Sequence, residues 1–253
     1  MSDLRFLHEA RMIIDRIEST QGENLHHAAE QYARTISSDG LVHLYGGGHS
    51  GVGMQETFPR IGSIVGFHPI VELALTNYTD VIGPNGLRQA LFLERVDGYG
   101  ETILQNYDFG PEDCMTVFSS TGINNVVVEI ALGAKQRGLP VIAITSVAHQ
   151  MATQSRHPSG KRLAEIADIV IDNCTPPGDA TVQVEGCDYP LGSGSNLAVI
   201  SIVQTLNVLT AEKLVARGYK PLILGSPHFV GDKRSEKNLA AYYSETKRRY
   251  NKV

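Results

Sequence analysis

Apolar residues within the first 38 positions recur with helical spacing. Steps of one and three residues separate Leu25, Ala28, Ala29, Tyr32, Ala33 and Ile36. This spacing puts the side chains on one face of a helix, where they can pack on a core. The pattern predicts two helices in residues 1–38, which together form an N-terminal helical arm.

Beyond residue 38 the pattern changes to short apolar runs separated by helical segments. The five runs are residues 41–45, 63–67, 114–119, 141–145 and 168–172. The helical segments are residues 51–60, 87–107, 126–137, 163–167, 196–217 and 236–250. Short buried strands that alternate with helices indicate a parallel sheet covered on both faces.

This alternation predicts an α/β protein with three αβα layers. Five parallel strands commonly take the flavodoxin-like order 2-1-3-4-5. No low-complexity linker interrupts the chain, so we expect one domain over residues 1–253. Within it, residues 1–38 form the arm, residues 39–218 the αβα core, and residues 219–253 a C-terminal extension that ends in a helix.

The composition is that of an ordinary globular protein, with 42% hydrophobic and 19% charged residues. The net charge is -5 and the pI is near 6.0, so no basic face favours nucleic acid. One basic cluster, formed by Lys247, Arg248, Arg249 and Lys252, is interpreted as a solvated helix end. No stretch has the pattern of a signal peptide or a membrane span, which favours a cytoplasmic protein that binds no membrane.

The cysteines and the other metal-ligating residue types do not form a recognisable site. Cys114, Cys174 and Cys187 are odd in number and have no C-x-x-C spacing. They therefore predict neither a disulfide framework nor a zinc site. No cluster of His, Asp and Glu has metal-ligand spacing, so we expect no metal and no cofactor.

Two loops rich in glycine and hydroxyl residues follow the first and third predicted strands. They read GGGHS at residues 46–50 and SSTGINN at residues 119–125. In the order 2-1-3-4-5 the strand order reverses between strands one and three, and sheets of this kind bind ligands there. Backbone N–H groups, hydroxyls and helix N-termini at that point favour an anion, so the loops predict a phosphate site.

Two other interpretations of these loops stay open. Each loop can be only a tight turn, for which glycine is suited on its own. Gly46, Gly48 and Gly51 also match the G-x-G-x-x-G of dinucleotide-binding folds. That motif needs an acid at the end of the second strand to hold the ribose, and the nearest acid, Glu72, comes late. The second, hydroxyl-rich loop suits a phosphomonoester better than a pyrophosphate.

The loop residues resemble those of a sugar isomerase (SIS) domain, over about residues 41–214. The most recognisable part is PEDCMTVFSSTGINNVVVEIALGAKQRGLPVIAIT, residues 111–145. Ser119, Thr121 and Gly122 fill the positions of the family's S-x-[ST]-G, and Ser50 matches the Ser that ends its first glycine-rich turn. Asn124 stands where a Ser or Thr is usual, which replaces a hydroxyl by an amide that can still donate.

A second segment is similar to one branch of this family. Residues 155–180, SRHPSGKRLAEIADIVIDNCTPPGDA, resemble stand-alone SIS proteins that are uncharacterised and described as phosphosugar-binding. The resemblance implies a five-stranded parallel sheet, a homodimer or homotetramer, and a phosphosugar held by the two loops. It does not imply one reaction, because SIS domains occur in aldose–ketose isomerases, in an etherase acting on a muramic acid phosphate, and in ligand-sensing regulators.

These loops supply most of the predicted phosphate- and sugar-binding residues. The set is Gly47, Gly48, Ser50, Ser119, Ser120, Thr121, Asn124 and Ser193. Ser193 is included because it directly precedes the long predicted helix, whose N-terminus can also face an anion. Simple N-capping of that helix explains the same residue equally well.

Three residues are candidates for proton transfer, which an isomerase needs between two adjacent carbons. Glu56 lies in the helix after the first loop and is the leading base, or else a surface residue. His49 adjoins Ser50 and can titrate near neutrality, or else it contacts the phosphate or has a structural role. His157 lies in a loop with Arg156, Lys161 and Arg162, cations that either hold a second anion or cap the next helix.

The leading functional hypothesis is therefore an aldose–ketose isomerase of a sugar or amino-sugar phosphate. The alternatives are a lyase or etherase acting on a phosphorylated amino sugar, and a non-catalytic phosphosugar sensor. No helix-turn-helix segment is visible, which counts against a DNA-binding regulator. The helix predicted over residues 196–217 is apolar nearly all round, so we expect a partner subunit to cover it.

Overall fold

A five-stranded parallel sheet is the centre of the fold in the computed structural model, which describes residues 4–77, 79–80, 83 and 86–253. Its strands are β1 Val42–Gly46, β2 Phe67–Ile70, β3 Cys114–Phe118, β4 Val141–Thr145 and β5 Ile169–Asp172. Their order is β2-β1-β3-β4-β5, and every neighbouring pair is parallel. The predicted fold class and strand order are confirmed.

Helices cover both faces of this sheet. They are α1 Arg5–Ser37, α2 Val52–Thr57, α3 Leu73–Thr76, α4 Gly86–Leu93, α5 Tyr99–Leu104, α6 Asn125–Gln136, α7 Val147–Met151, α8 Leu163–Ile166, α9 Ser195–Ala216, α10 Pro227–Val230 and α11 Asp232–Tyr250. A 3-10 turn, Gly48–Gly51, precedes α2. A small antiparallel hairpin, β6 Ala180–Val182 and β7 Leu191–Ser193, precedes α9.

The N-terminal arm is one continuous helix, not the two that the sequence predicts. Helix α1 runs for 33 residues and buries Ile13, Ile17, Gln21 and Leu25 at regular steps of four. The buried stripe therefore passes without a break through the polar stretch around Gly22. The Gln21 side chain accepts a hydrogen bond from the backbone N–H of Asp172 at 2.9 Å, which satisfies this polar group inside the interface.

The second strand begins at Phe67, four residues after the predicted start. The preceding residues pair with the C-terminal extension instead, where Ile64 forms an antiparallel bridge with Ile223. Gly66, at φ +129, separates this pairing from β2, and a Cβ there would overlap Ile36 of α1. The sequence predicts one strand over the apolar run at residues 63–67. In the structure, Ile64 pairs with the C-terminal extension and Phe67 pairs with β1.

Two apolar cores lie on opposite faces of the sheet. One packs α1, α2, α9 and α11 against residues such as Val42, Leu44 and Phe118. The other packs α5, α6 and α8 against Tyr45, Met115 and their neighbours. Alternate residues of β1 thus point to opposite cores, as the pleat of a strand requires.

Helix α9 is the one helix among the described residues that is long and apolar enough to cross a membrane by length and composition alone. A core helix passes the same test, and the buried side of α9 packs on α1 and on the sheet. The opposite side leaves Val208 and Val215 58% and 63% exposed. Covering of that side by a partner subunit stays a prediction.

The C-terminal basic cluster is not a solvated helix end throughout, because Arg249 is buried. Its guanidinium donates to the carbonyl oxygens of Gly40 and Ile36 and to the Tyr219 hydroxyl, at 2.8, 3.2 and 2.9 Å. Its Nε donates to Glu245 at 2.9 Å. Arg249 thus fastens α11 to the turn between α1 and β1, a role that the local charge pattern does not predict.

A buried polar chain joins β1, β2 and the turn before β3. The Nε2 of His43 lies 3.0 Å from Asp113 Oδ2, and its Nδ1 lies 3.0 Å from the Nδ1 of His68. Asp113 also accepts the backbone N–H groups of Leu41 and Gly110, each at 2.7 Å. An ionised Asp113 therefore accepts a hydrogen bond from His43 Nε2–H, which leaves His43 Nδ1 to accept a hydrogen bond from His68 Nδ1–H.

This chain predicts acid sensitivity of the fold. Burial, and then the neighbouring His43, lower the pKa of His68 from 6.5 to about 4, against a smaller opposing effect of Asp113. Between pH 6.5 and 4, His68 therefore binds a proton in the unfolded chain and stays neutral in the folded chain. We expect about 3 kcal/mol of the unfolding free energy to be lost over this window because of His68, on top of other titrations.

The measurement is urea denaturation at several pH values for the parent and for His68→Asn. The variant should lose less stability than the parent between pH 6.5 and 4. His27→Asn, at an exposed position of α1, is the control and should behave like the parent. If the free energy of unfolding depends on pH equally in His68→Asn and in the parent, this account is contradicted.

Candidate functional site

Two loops leave the sheet side by side at the carboxyl ends of β1 and β3. We call residues 46–51 the glycine loop and residues 119–125 the serine loop. Gly46 is the register partner of Phe118, so the loops start from adjacent backbone positions. β1 lies between β2 and β3, which makes this the point where the strand order reverses and where such sheets bind ligands.

Three glycines of the glycine loop have clear structural reasons. A Cβ on Gly46 would lie 2.7 Å from the carbonyl oxygen of Ser50, and one on Gly51 would lie 2.7 Å from the Thr76 side chain. Both distances are too short for a real Cβ. Gly48 has φ +56, a conformation that L residues with side chains rarely adopt. Tight turning and close packing therefore explain these positions.

Gly47 has no such reason. Its φ of -91° and ψ of 156° suit any residue. A Cβ there would meet Glu94 Oε1 at 3.6 Å and Tyr45 Oη at 3.9 Å, both ordinary contact distances. The bare Cα of Gly47 therefore faces a carboxylate and a phenol across a space that a side chain would fill.

In the serine loop, two hydroxyls shape the loop itself. Ser119 Oγ accepts the backbone N–H of Gly122 at 3.0 Å, and Ser120 Oγ accepts from the Asn173 amide at 3.0 Å. Gly122 has φ +60, and a Cβ there would overlap the buried amide of Gln150. The loop conformation is thus strongly constrained, while each serine keeps its own O–H for donation.

Ser50 and Thr121 differ from these serines. Both side chains are half-buried, and neither hydroxyl makes a hydrogen bond within the part of the chain that the structure describes. One stands on each loop. These two hydroxyls are therefore available to a ligand.

Asn124 connects the serine loop to a carboxylate that the sequence analysis missed. It is the N-cap residue of α6, yet its side chain makes no capping hydrogen bond. Instead, its Nδ2 donates to Glu94 Oε2 at 2.7 Å. The backbone oxygen of Glu94 also accepts the N–H of Val126 in α6 at 3.2 Å. Glu94 is thereby held next to both loops.

The environment of Glu94 makes its carboxyl group a weaker acid than in water. Burial raises the pKa of its carboxyl group above the ordinary value. The Arg95 charge, the hydrogen bond from Asn124 and the Arg156 charge oppose this effect without cancelling it. Glu94 lies in the turn that directly follows α4, with no motif around it, so only its tertiary neighbours identify it.

The predicted catalytic residues have separate surroundings. Glu56 forms an ion pair with Arg60 at 3.1 Å along α2. His49 is exposed and lines a cavity of about 200 Å³ together with Gly48, Val52, Gln55, Thr76, Asn77, Thr79, Asp80 and Asn196. His157 Nδ1 accepts the backbone N–H of Ser159 at 3.1 Å, and its Nε2 lies 3.9 Å from Glu129.

Two further polar side chains near the predicted site, Glu129 and Ser193, already form hydrogen bonds within the protein. Glu129 accepts the backbone N–H groups of Gly98 and Gly100 at 2.6 and 2.7 Å, which anchors the start of α5. Ser193 donates to Asp179, whose other oxygen accepts the backbone N–H of Ser195 at 2.8 Å. The N-terminus of α9 is thus already capped by a carboxylate. Among the described residues, no group of three or more His, Cys, Asp and Glu could hold a metal ion.

Comparison with known proteins identifies what this arrangement is similar to. The family model of the SIS domain matches residues 5–146. A UPF0309 protein of Caldanaerobacter subterraneus is 33% identical over 249 residues, which cover 97% of this chain and 98% of that protein. The family match begins at Arg5, the first residue of α1, so the similarity includes the helical arm, which lies before the region that the sequence motifs indicated.

Solved structures show the same fold at low sequence identity. A phosphoheptose isomerase from Neisseria gonorrhoeae aligns with a TM-score of 0.53 at 15% identity, over 81% of this chain and 95% of that one. A phosphoheptose isomerase from Francisella tularensis aligns with a TM-score of 0.50 at 16% identity, over 84% and 100%. Similarity at this level concerns the fold alone.

The glycine loop yields a direct test. Gly47→Ala should leave the free energy of unfolding unchanged or raise it by about 0.5 kcal/mol, because the native backbone suits alanine and the unfolded chain loses freedom. Gly51→Ala should instead destabilise the protein, since its Cβ has no room beside Thr76. Thermal and urea unfolding of both variants measure the difference. A Gly47→Ala variant as unstable as Gly51→Ala would show that Gly47 is also a packing glycine.

Proposed function

The chain belongs to the SIS domain family, and from this we propose that it binds a phosphosugar between the glycine and serine loops and isomerises it between aldose and ketose forms. The substrate class is a sugar or amino-sugar phosphate. The proposed phosphate ligands are the hydroxyls of Ser50 and Thr121, with the N–H groups and remaining O–H groups of the two loops around them.

One observation carries the binding proposal. Two partly exposed hydroxyls without partners in the described part of the chain stand on adjacent loops at the reversal point of the sheet. The N-terminus of the 12-residue helix α6 follows the serine loop directly, and its dipole favours an anion. Phosphate oxygens need several donors in a small volume, which this arrangement offers.

Isomerisation is supported by different observations. Two proteins of the same fold are named phosphoheptose isomerases. A partly buried carboxyl group beside the loops has a raised pKa, which suits proton transfer. Glu56, His49 and His157, which the sequence predicts for proton transfer, are the alternatives to that carboxyl group, and of these His49 lies nearest in sequence to the phosphate ligands. Ser193 is left out of the proposed ligands because its hydroxyl donates to Asp179.

Two alternatives make different predictions for the same site. A sensor binds the phosphosugar and causes no exchange of carbon-bound hydrogen with solvent. A lyase or etherase releases a substituent from the sugar.

We propose a cytoplasmic protein that assembles as a homodimer or homotetramer, with the exposed apolar side of α9 at an interface. Sedimentation of a monomer at micromolar concentration would contradict that assembly.

The binding proposal is tested by Ser50→Ala and Thr121→Ala. Each variant should bind sugar phosphates more weakly by roughly 1–3 kcal/mol, the scale of one hydrogen bond to a charged group. Isothermal titration calorimetry with glucose 6-phosphate, glucosamine 6-phosphate and sedoheptulose 7-phosphate measures this loss, and glucose serves as the unphosphorylated reference. Ser37→Ala, at the exposed end of α1, is the matched control. If both loop variants bind like the parent, the phosphate site lies elsewhere.

A further inference from the structure

We propose that Glu94, and not Glu56, is the catalytic base of this site. The assignment rests on the proposed isomerase function and names the group that moves the proton between the two carbons. It follows from where the carboxylate lies, from which of its oxygens is already bonded, and from the polar groups that surround it.

The carboxylate of Glu94 lies between the two loops. Its Oε2 accepts from Asn124 of the serine loop at 2.7 Å, and its Oε1 lies 3.6 Å from the position that a Cβ of Gly47 would occupy. A sugar whose phosphate lies on the two loops has to extend past this space. The missing side chain of Gly47, which neither packing nor backbone conformation requires, leaves that space open.

One oxygen of Glu94 is held and the other is available. The hydrogen bond from Asn124 fixes the orientation of the carboxylate through Oε2, and the contact of the Glu94 backbone with α6 fixes its position. Oε1 makes no hydrogen bond within the described part of the chain. A general base needs this combination, because its accepting lone pair has to be aimed and unoccupied.

The surrounding groups suit the charge that develops in the reaction. Burial raises the pKa of Glu94 toward the working range of a base. The backbone N–H of Arg156 donates to the carbonyl oxygen of Ile123 in the serine loop at 2.9 Å, which places Arg156 beside the site, and its charge acts on Glu94. Its guanidinium is therefore positioned to stabilise an oxyanion there. Tyr45 Oη is buried and has no hydrogen-bond partner among the residues that the structure describes, and it lies 3.9 Å from the same Cβ position of Gly47. An unused donor at this place fits a sugar oxygen.

Two other carboxylates near the loops, Glu56 and Glu129, are less suitable. Glu56 is paired with the Arg60 guanidinium, which would have to be released before Glu56 could accept a proton. Both oxygens of Glu129 already accept backbone N–H groups. Glu94 is thus distinguished by its free oxygen as well as by its position.

The proton step is balanced within the site. Glu94 takes the hydrogen of C2 as a proton, and the electrons of the broken C–H bond form the C1=C2 bond while the carbonyl electrons move to O1. Arg156 stabilises the negative charge on O1. Protonation of O1, loss of the proton from O2 and return of the proton from Glu94 to C1 then give the ketose, with no net gain or loss of atoms or electrons.

The test compares Glu94→Gln with Glu56→Gln in deuterated water. Exchange of the hydrogen on C2 of glucose 6-phosphate and glucosamine 6-phosphate, and on C1 of sedoheptulose 7-phosphate, is followed by NMR. Binding of the same compounds is measured by calorimetry. Gln keeps an oxygen that can accept from Asn124, so Glu94→Gln should unfold in urea like the parent.

We expect Glu94→Gln to bind within about threefold of the parent and to lose at least about 100-fold in exchange rate, the lower range for removal of a general base. Glu56→Gln should retain the exchange. Glu94→Asp, which keeps the carboxylate but moves it, should recover part of the rate. In the parent, exchange should slow as the pH falls through the raised pKa of Glu94, and this dependence should be absent from the residual rate of Glu94→Gln.

Other outcomes would overturn the assignment in distinguishable ways. Undiminished exchange in Glu94→Gln, or its loss only in Glu56→Gln, would exclude Glu94 as the base while isomerisation stands. Binding without exchange in the parent would also reject the base assignment and favour a sensor. No binding of any of the three sugar phosphates by the parent would reject the proposed function and the assignment with it.

Discussion

The parallel pairing of β1 with β3 is the constraint on which the candidate site depends. Neighbouring strands lie about 4.8 Å apart, so the register of Gly46 with Phe118 sets the distance between the two loops that follow. Bare glycines permit this approach. A Cβ on Gly46 would lie 3.2 Å from the Cβ of Phe118, and one on Gly53 would lie 2.6 Å from its ring. Any side chain at these positions would push the loops apart.

The polar groups around the loops divide into those that shape the site and those that remain for a ligand. Ser119, Ser120 and Gly122 hold the serine loop in one conformation. The hydroxyls of Ser50 and Thr121 make no hydrogen bond within the described residues, and they are the groups proposed to bind an anion. Glu94 adds a carboxylate whose negative charge would oppose a bound phosphate, which would raise its pKa further. A phosphosugar would thus strengthen the basicity of the group proposed to act on it.

Support for this edge of the sheet comes from parts of the chain that are distant in sequence. Residues before β2 pair with the C-terminal extension, and the buried guanidinium of Arg249 fastens α11 to the turn that leads into β1. Helix α1 packs its stripe of apolar residues on the sheet and on α9. The strand that carries the glycine loop is therefore held by both ends of the chain, so the loop position depends on the whole domain.

The sequence by itself determined the features that depend on local chemistry. Periodicity located β1, β3 and β4 to within a residue or two, and the hydroxyl- and glycine-rich loops indicated the reversal point and a phosphate. The tertiary structure alone decided the rest. The start of β2, the continuity of α1, the burial of Arg249 and the place of Glu94 depend on contacts between residues far apart in the chain. Glu94 lies in a turn without a motif, and contacts with residues about 30 positions later, from Asn124 to its side chain and from Val126 to its backbone, bring it to the loops. Periodicity records which side of an element is apolar, whereas the partner that each side meets is set by packing.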